Sequence, residues 1–161
     1  MERSLSTADY QALAELRYQI RNFLHFSEQA ARRAGLEPRQ HQLMLGLKGL
    51  PHGMRPSIGA LAERLRIQHH SAVELVNRLA QGGYVERGRA GEDRRAVLLS
   101  LTRKGEKILQ QLSIAHRAEL RVQGPALIAA LRRTIRRSRN RLLARRPEER
   151  KSKSWQMVRG S

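Results

Sequence analysis

Two groups of side chains in this sequence have the types and spacing to do recognition chemistry. The first is Gln68, His69, His70 and Ser71, followed by Val73, Glu74 and Asn77. On a helix these residues occupy the N-terminal end and then the next two turns. Gln and Asn can each pair bidentately with adenine, and Ser and His can reach bases or phosphates. The second group is Arg89, within the turn-forming run Gly88-Arg89-Ala90-Gly91-Glu92-Asp93, and Arg94 and Arg95, which follow it. An arginine at a hairpin tip suits a narrow minor groove, where negative potential is concentrated. Catalysis finds no comparable set. Ser71 follows His70 directly, but neighbours on a helix point about 100° apart, so the two make no dyad. No nucleophile motif is present either, and the chain is not expected to be an enzyme.

The elements that must position these groups follow from periodicity. Residues 7–34 read as a long helix, with Leu13, Leu16, Ile20, Phe23 and Leu24 on one face and Ser6, Thr7 and Asp9 as capping candidates. Gly35 ends it, and Pro38 opens a second helix over 38–49 with Leu43, Met44, Leu47 and Leu50 inward. After a break at Pro51, Gly53 and Pro56, Ser57 caps a helix to Leu65, and a further helix runs over 68–81 until Gly82-Gly83. Two helices joined by about three residues have the spacing of a helix-turn-helix. A strand over 84–87, a turn over 88–93 and a strand over 94–101 then read as a hairpin. Thr102 caps a helix beginning at Arg103. Gly124-Pro125 is expected to break or kink it, with Pro125 opening a last helix that carries Leu127, Ile128, Leu131, Ile135 and Leu142. The expected fold is therefore mainly α with a small β-hairpin wing. A helix-turn-helix followed by a hairpin is a winged helix, whose second helix fits the major groove.

Composition supports that direction. The chain has 161 residues, 32 Lys plus Arg against 14 Asp plus Glu, and a net charge of +18. Such a balance favours nucleic acid over anionic lipid or an acidic protein. Only five of the basic residues are Lys, so coding bias towards Arg is a competing source of the excess. No cysteine is present, which excludes a disulfide scaffold and a thiol-based redox switch. The longest apolar run, Ala126 to Leu131, is far short of the roughly 20 residues that span a bilayer. No signal peptide is evident, and a cytoplasmic location without membrane contact is expected.

From Leu43 to Leu109 the sequence resembles the MarR family of winged-helix transcriptional regulators. The resemblance is carried by Ile58-Gly59-Ala60-Leu61-Ala62-Glu63-Arg64-Leu65, by Val76-Asn77-Arg78-Leu79, and by Gly83-Tyr84-Val85-Glu86-Arg87. Its most specific stretch is Asp93-Arg94-Arg95-Ala96-Val97-Leu98-Leu99-Ser100-Leu101-Thr102-Arg103-Lys104-Gly105, the wing signature D-x-R followed by L-T-x-x-G. The resemblance implies a homodimer in which the first and last helices interlock and two winged helices read a pseudo-palindrome in double-stranded DNA. By this resemblance Arg95 is the wing arginine that enters the minor groove, and Asp93 orients it. Arg78 is then a basic residue of the recognition helix that contacts phosphate. Glu74 and His69-His70 depart from the family pattern. Glu74 suits either cytosine N4 or an i, i+4 ion pair with Arg78.

The dimer expectation also stands on the residues alone. The terminal helices carry apolar stripes that a chain of this length covers poorly as a monomer. Residues 7–37 and 103–146 are thus assigned to a helical dimerisation region, 38–102 to the winged helix-turn-helix, and 147–161 to a basic disordered tail. The resemblance further implies a small aromatic or anionic effector, for which Arg21, His25, Arg39 and His41 are candidate ligands; the competing reading has them solvated or satisfied in the core. No cofactor is implied. Convergence of His25, His41 and His116 on a zinc ion is a weaker alternative, because the six histidines form no H-x-x-x-H pattern. Arg132, Arg133, Arg136, Arg137, Arg139 and Arg141, with the basic residues beyond them, either add phosphate contacts or form a solvated helix face. The expected function is a sequence-specific regulator, a repressor in its simplest form; a nucleoid-type protein binding DNA without sequence preference is the alternative.

Overall fold

The computed structural model describes residues 5–90 and 93–143, and the side chains of these except 89–90, 93–96 and 139–143. Seven elements follow in order: α1 Thr7–Arg33, α2 Pro38–Lys48, α3 Ile58–Leu65, α4 His69–Gln81, β1 Val85–Ala90, β2 Asp93–Leu101 and α5 Arg103–Leu143. No helix among the described residues is long and apolar enough to cross a membrane.

The chain divides into two compact units, and the division falls within α1 and α5. One unit comprises residues 24–119. Its core gathers Ala31, Leu36, Leu43, Met44, Leu61, Val76, Leu79, Val85, Leu99 and Leu109 from all the elements of the unit. Local chemistry sets the helix ends. Gly35, at φ +77°, turns the chain after α1, and the amide of Leu36 bonds back to the Ala31 carbonyl at 3.0 Å. Ser57 caps α3, its hydroxyl accepting from the Ala60 amide at 3.2 Å. Arg66, Ile67 and Gln68 then make the three-residue turn into α4.

The hairpin is antiparallel, with Val85 opposite Leu101 and Arg89 opposite Val97. Its strands are longer than periodicity suggested. Gly88 and Arg89 belong to the ladder, and only residues 91 and 92 separate the strands. The ladder overrides the weak strand preference of Gly88, whose partner is Leu98. The amide of Leu99 also donates to the Pro56 carbonyl at 2.8 Å, which ties β2 to the segment before α3.

The second unit comprises α1 up to Phe23 and α5 from Leu120 onward. Here the expected break at Gly124-Pro125 is absent, and α5 runs continuously through Pro125. A helical proline removes one backbone bond and crowds the preceding turn. Contacts on its C-terminal side hold the helix: the Thr134 hydroxyl bonds the Ala12 carbonyl at 3.2 Å, and Arg137 Nε meets Asp9 Oδ1 at 2.9 Å. Asp9 also accepts from the Ser6 amide at 3.0 Å, so it serves the start of α1 as well.

Candidate nucleic-acid interface

α4 presents two different faces. Ala72, Val76 and Leu79 are buried, while His69, His70, Glu74, Asn77 and Arg78 are exposed. Ser71 and Val73 are half-buried at the boundary. His70, Glu74, Asn77 and Gln81 thus share one outer stripe at spacings of three and four. Gln68 occupies the N-cap position with no side-chain capping bond, and it is exposed at the start of α4. Glu74 forms no ion pair with Arg78 among the described residues, although their spacing would permit one.

One side chain missing from the sequence-based set belongs to this surface. Arg87, exposed on β1, donates through Nη2 to Asn77 Oδ1. The bond orients the Asn77 amide and places a guanidinium beside the third turn of α4. Strand alternation carried the signal. Arg87 shares its side of β1 with Val85, which is buried in the core with α4.

The hairpin positions of Arg89, Asp93, Arg94 and Arg95 are fixed by the backbone register: Arg89 lies near the end of β1, and the other three open β2. Their side chains lie outside the described residues, so the wing assignment stays with the sequence. The junction that carries the hairpin into α5 is defined in detail. Thr102 Oγ1 donates to the Gly83 carbonyl at 2.7 Å and accepts from the Gly105 amide at 3.0 Å. Lys104 Nζ bonds the Gly82 carbonyl at 2.8 Å and lies 4.3 Å above the centre of the Tyr84 ring. A Cβ on Gly105 would sit 2.1 Å from the Tyr84 carbonyl oxygen. The L-T-x-x-G signature is therefore a packing requirement: threonine caps α5, and glycine admits the Tyr84 backbone just before β1.

Residues 34–96 match the MarR family. The match begins before α2 and ends in β2, so it spans the whole helix-turn-helix and most of the hairpin. Solved structures agree on the fold. AbsC, a MarR family transcriptional regulator from Streptomyces coelicolor, is 19% identical, with 89% of this chain and 100% of that chain covered and a TM-score of 0.67. A variant of S. aureus MepR bound to an oligodeoxyribonucleotide is 14% identical over 88% of this chain and 98% of that one, at a TM-score of 0.58. CouR from Rhodococcus jostii, bound to p-coumaroyl-CoA, is 21% identical over 71% and 80%, at a TM-score of 0.59. No curated protein matches the sequence.

The effector and metal candidates separate. Arg21 and His25 are exposed on α1, and Arg39 is exposed on α2. His41 is buried, stacked on His116 with ring centres 4.9 Å apart. His116 Nδ1 contacts the Leu112 carbonyl, which can only accept, so Nδ1 carries the proton. Ser27 Oγ then donates to His116 Nε2 at 2.7 Å. His41 Nε2 is buried with no hydrogen-bond partner among the described residues. Burial, and secondarily the neighbouring His116, lower the His41 pKa from 6.5 to about 4. His41 and His116 do meet, as the zinc alternative required, but His25 is exposed. Among the described residues no group of three or more His, Cys, Asp or Glu could hold a metal ion.

Proposed function

We propose that this chain is a homodimeric, sequence-specific repressor that binds a pseudo-palindromic operator in the cytoplasm. The observation that carries the reading is the outer stripe of α4, where Asn77 is braced by Arg87 and Gln68 stands at the helix start. Gln68, His69, His70 and Ser71 meet bases or phosphates at the groove entrance; Val73, Glu74 and Asn77 read deeper; Arg78 contacts phosphate. Arg95, oriented by Asp93, enters the flanking minor groove, with Arg89 and Arg94 beside it. Repression follows from occlusion: a dimer seated on an operator blocks the DNA it covers.

The homodimer is supported by the apolar side chains that α1 and α5 leave exposed, including Tyr10, Leu13 and Ile20 on one and Val122, Ile128, Leu131 and Ile135 on the other. Residues 7–37 and 103–146 supply the dimerisation region, and 38–102 the reading head. Release by a small aromatic or anionic effector is supported by CouR, a structural neighbour bound to p-coumaroyl-CoA.

Selection of bound sequences from a random DNA pool, at two salt concentrations, tests the reading. A palindromic motif retained at the higher salt is expected. Salt-sensitive binding with no motif would replace it with nucleoid-type binding, which a net charge of +18 also favours.

A further inference from the structure

The C-terminal half of α5 carries a basic surface that the proposed reading head does not include. Helical spacing gives this stretch three faces. Ala130, Thr134 and Arg137 form the first: Ala130 is buried, and the other two bond Ala12 and Asp9 of α1. Ile128, Leu131 and Ile135 form the second, an exposed apolar stripe. Arg132, Arg133 and Arg136 form the third. All three are exposed, and they line a groove of about 460 Å³ with Ala129 and, at its edge, Ile135.

No neighbour among the described residues neutralises the third face. Arg132, Arg133 and Arg136 are in no ion pair there, whereas Arg137 on the same turn holds Asp9. No Asp or Glu occurs between Glu119 and Glu148, a stretch with nine arginines. Arg132 and Arg136, like Arg133 and Arg137, stand four positions apart, a spacing at which like charges weaken a helix. A solvated helix face interleaves the two signs instead. Attraction to the negative end of the helix dipole does not account for the array, because that effect is confined to the last turn and α5 continues to Leu143. Coding bias explains Arg in place of Lys but not the missing carboxylates.

We infer that Arg132, Arg133 and Arg136 are a second DNA-binding surface, which takes the backbone of a duplex other than the one α4 reads, without regard to sequence. Guanidinium forks pair with phosphate oxygens, and an array free of carboxylates suits a dense polyanion. The two surfaces are built in different compact units, α4 in residues 24–119 and the arginines in the other, so each can be removed by substitution without touching its counterpart. Around a chain that holds DNA at α4, the nearest dense polyanion is more DNA. An anionic bilayer also offers phosphates, but a surface helix enters it through an apolar face. In the proposed dimer the apolar stripe of α5 is taken by the second chain. The choice of DNA and the exclusion of a bilayer rest on the proposed function; the unneutralised arginine face does not.

The test captures the full chain on a bead-bound duplex and measures whether a second, labelled duplex of unrelated sequence is retained at low salt. The wild type should retain it, and retention should fall steeply as salt rises. Arg132→Gln, Arg133→Gln and Arg136→Gln together should cut retention by roughly tenfold or more, with capture on the first duplex and the melting temperature unchanged, because Gln matches Arg in helix propensity. Lysine at the same three positions keeps the charge and should keep most of the retention. Retention unchanged in the Gln variant, or lost in a Lys variant that melts like the wild type, overturns the inference. So does a wild type that retains no second duplex, or a Gln variant no longer captured on the first, which would make the arginines part of the first contact. Phosphatidylglycerol vesicles that displace the second duplex at equal phosphate concentration would make the face a membrane surface and overturn it too. Capture without sequence preference, with retention still dependent on the three arginines, would sink the sequence-specific regulator and leave this face standing; sequence-specific capture without retention would sink the face alone.

Discussion

Asn77 Oδ1 accepts from Arg87, which leaves its amide nitrogen to donate to a base edge in the proposed complex. Bracing of this kind lowers the rotamer entropy lost on binding. With Arg95 in the minor groove as proposed, Arg95→Ala should weaken operator binding by about tenfold with the fold intact, since one good arginine contact is worth about 1–3 kcal/mol. A fluorescence titration showing unchanged affinity would remove Arg95 from the interface. His41 makes a separate prediction about stability. Its pKa is about 4 in the folded chain and 6.5 otherwise, so the unfolded state takes up more protons below pH 6.5. Its contribution is intact above pH 6.5 and is lost as the pH falls towards 4. The loss at pH 5 is about 2 kcal/mol, and His41→Leu should abolish that part of the acid sensitivity in urea denaturation at pH 7.5 and pH 5. Equal acid sensitivity in both proteins would refute it. The two faces of α4 were legible because helical periodicity sets Ala72, Val76 and Leu79 inward and His70, Glu74 and Asn77 outward. Arg87 and the His41–His116 stack were not, because each depends on contacts between elements distant in the chain.

At the scale of elements, the junction after the hairpin decides whether the reading head holds its shape. Gly105→Ala would place a methyl group against the Tyr84 carbonyl, and both are backbone-anchored. A loss of about 1–3 kcal/mol is expected, with a clear drop in melting temperature. A wild-type melting curve would show that the close approach does not constrain the junction. The start of α5 and the cap at Thr102 were readable locally. The fate of Gly124-Pro125 was not. Local chemistry argued for a break, yet Thr134 and Arg137 pin the following turns to the start of α1. Those partners lie more than a hundred residues away in sequence, where no periodicity reaches. Arg137 was grouped with the basic face of the last helix, but its ion pair with Asp9 gives it a partner within the chain. The hairpin shows the same limit on a smaller scale, since ladder pairing decided how far the strands extend.

For the whole molecule, the apolar stripe on α1 is the feature that needs an occupant. Leu13, Ile20 and Leu24 were readable as one helical face, but periodicity cannot say whether a stripe meets its own core or another chain. In the structure they are exposed, and the buried positions of α1 are instead Asp9, Ala12, Ser27, Ala30 and Ala31. On α5, Val122 is 77% exposed and Ile135 57%. Covering such side chains is worth roughly 1.5–3 kcal/mol each, which favours pairing of two chains. Sedimentation should give one species at twice the 18.4 kDa chain mass, and Leu131→Asp with Ile135→Asp should shift it towards monomer. A wild-type monomer at micromolar concentration would refute the architecture.

The central claim is that α4 reads bases through the stripe that Asn77 anchors. Its most direct test is selection from a random DNA pool, run side by side for the wild type and Asn77→Ala. The wild type should return a two-fold symmetric motif. Asn77→Ala should return the same motif with preference lost at one symmetric pair of positions and retained elsewhere. An unchanged motif would contradict base reading by Asn77, and no motif from the wild type would contradict sequence-specific recognition itself.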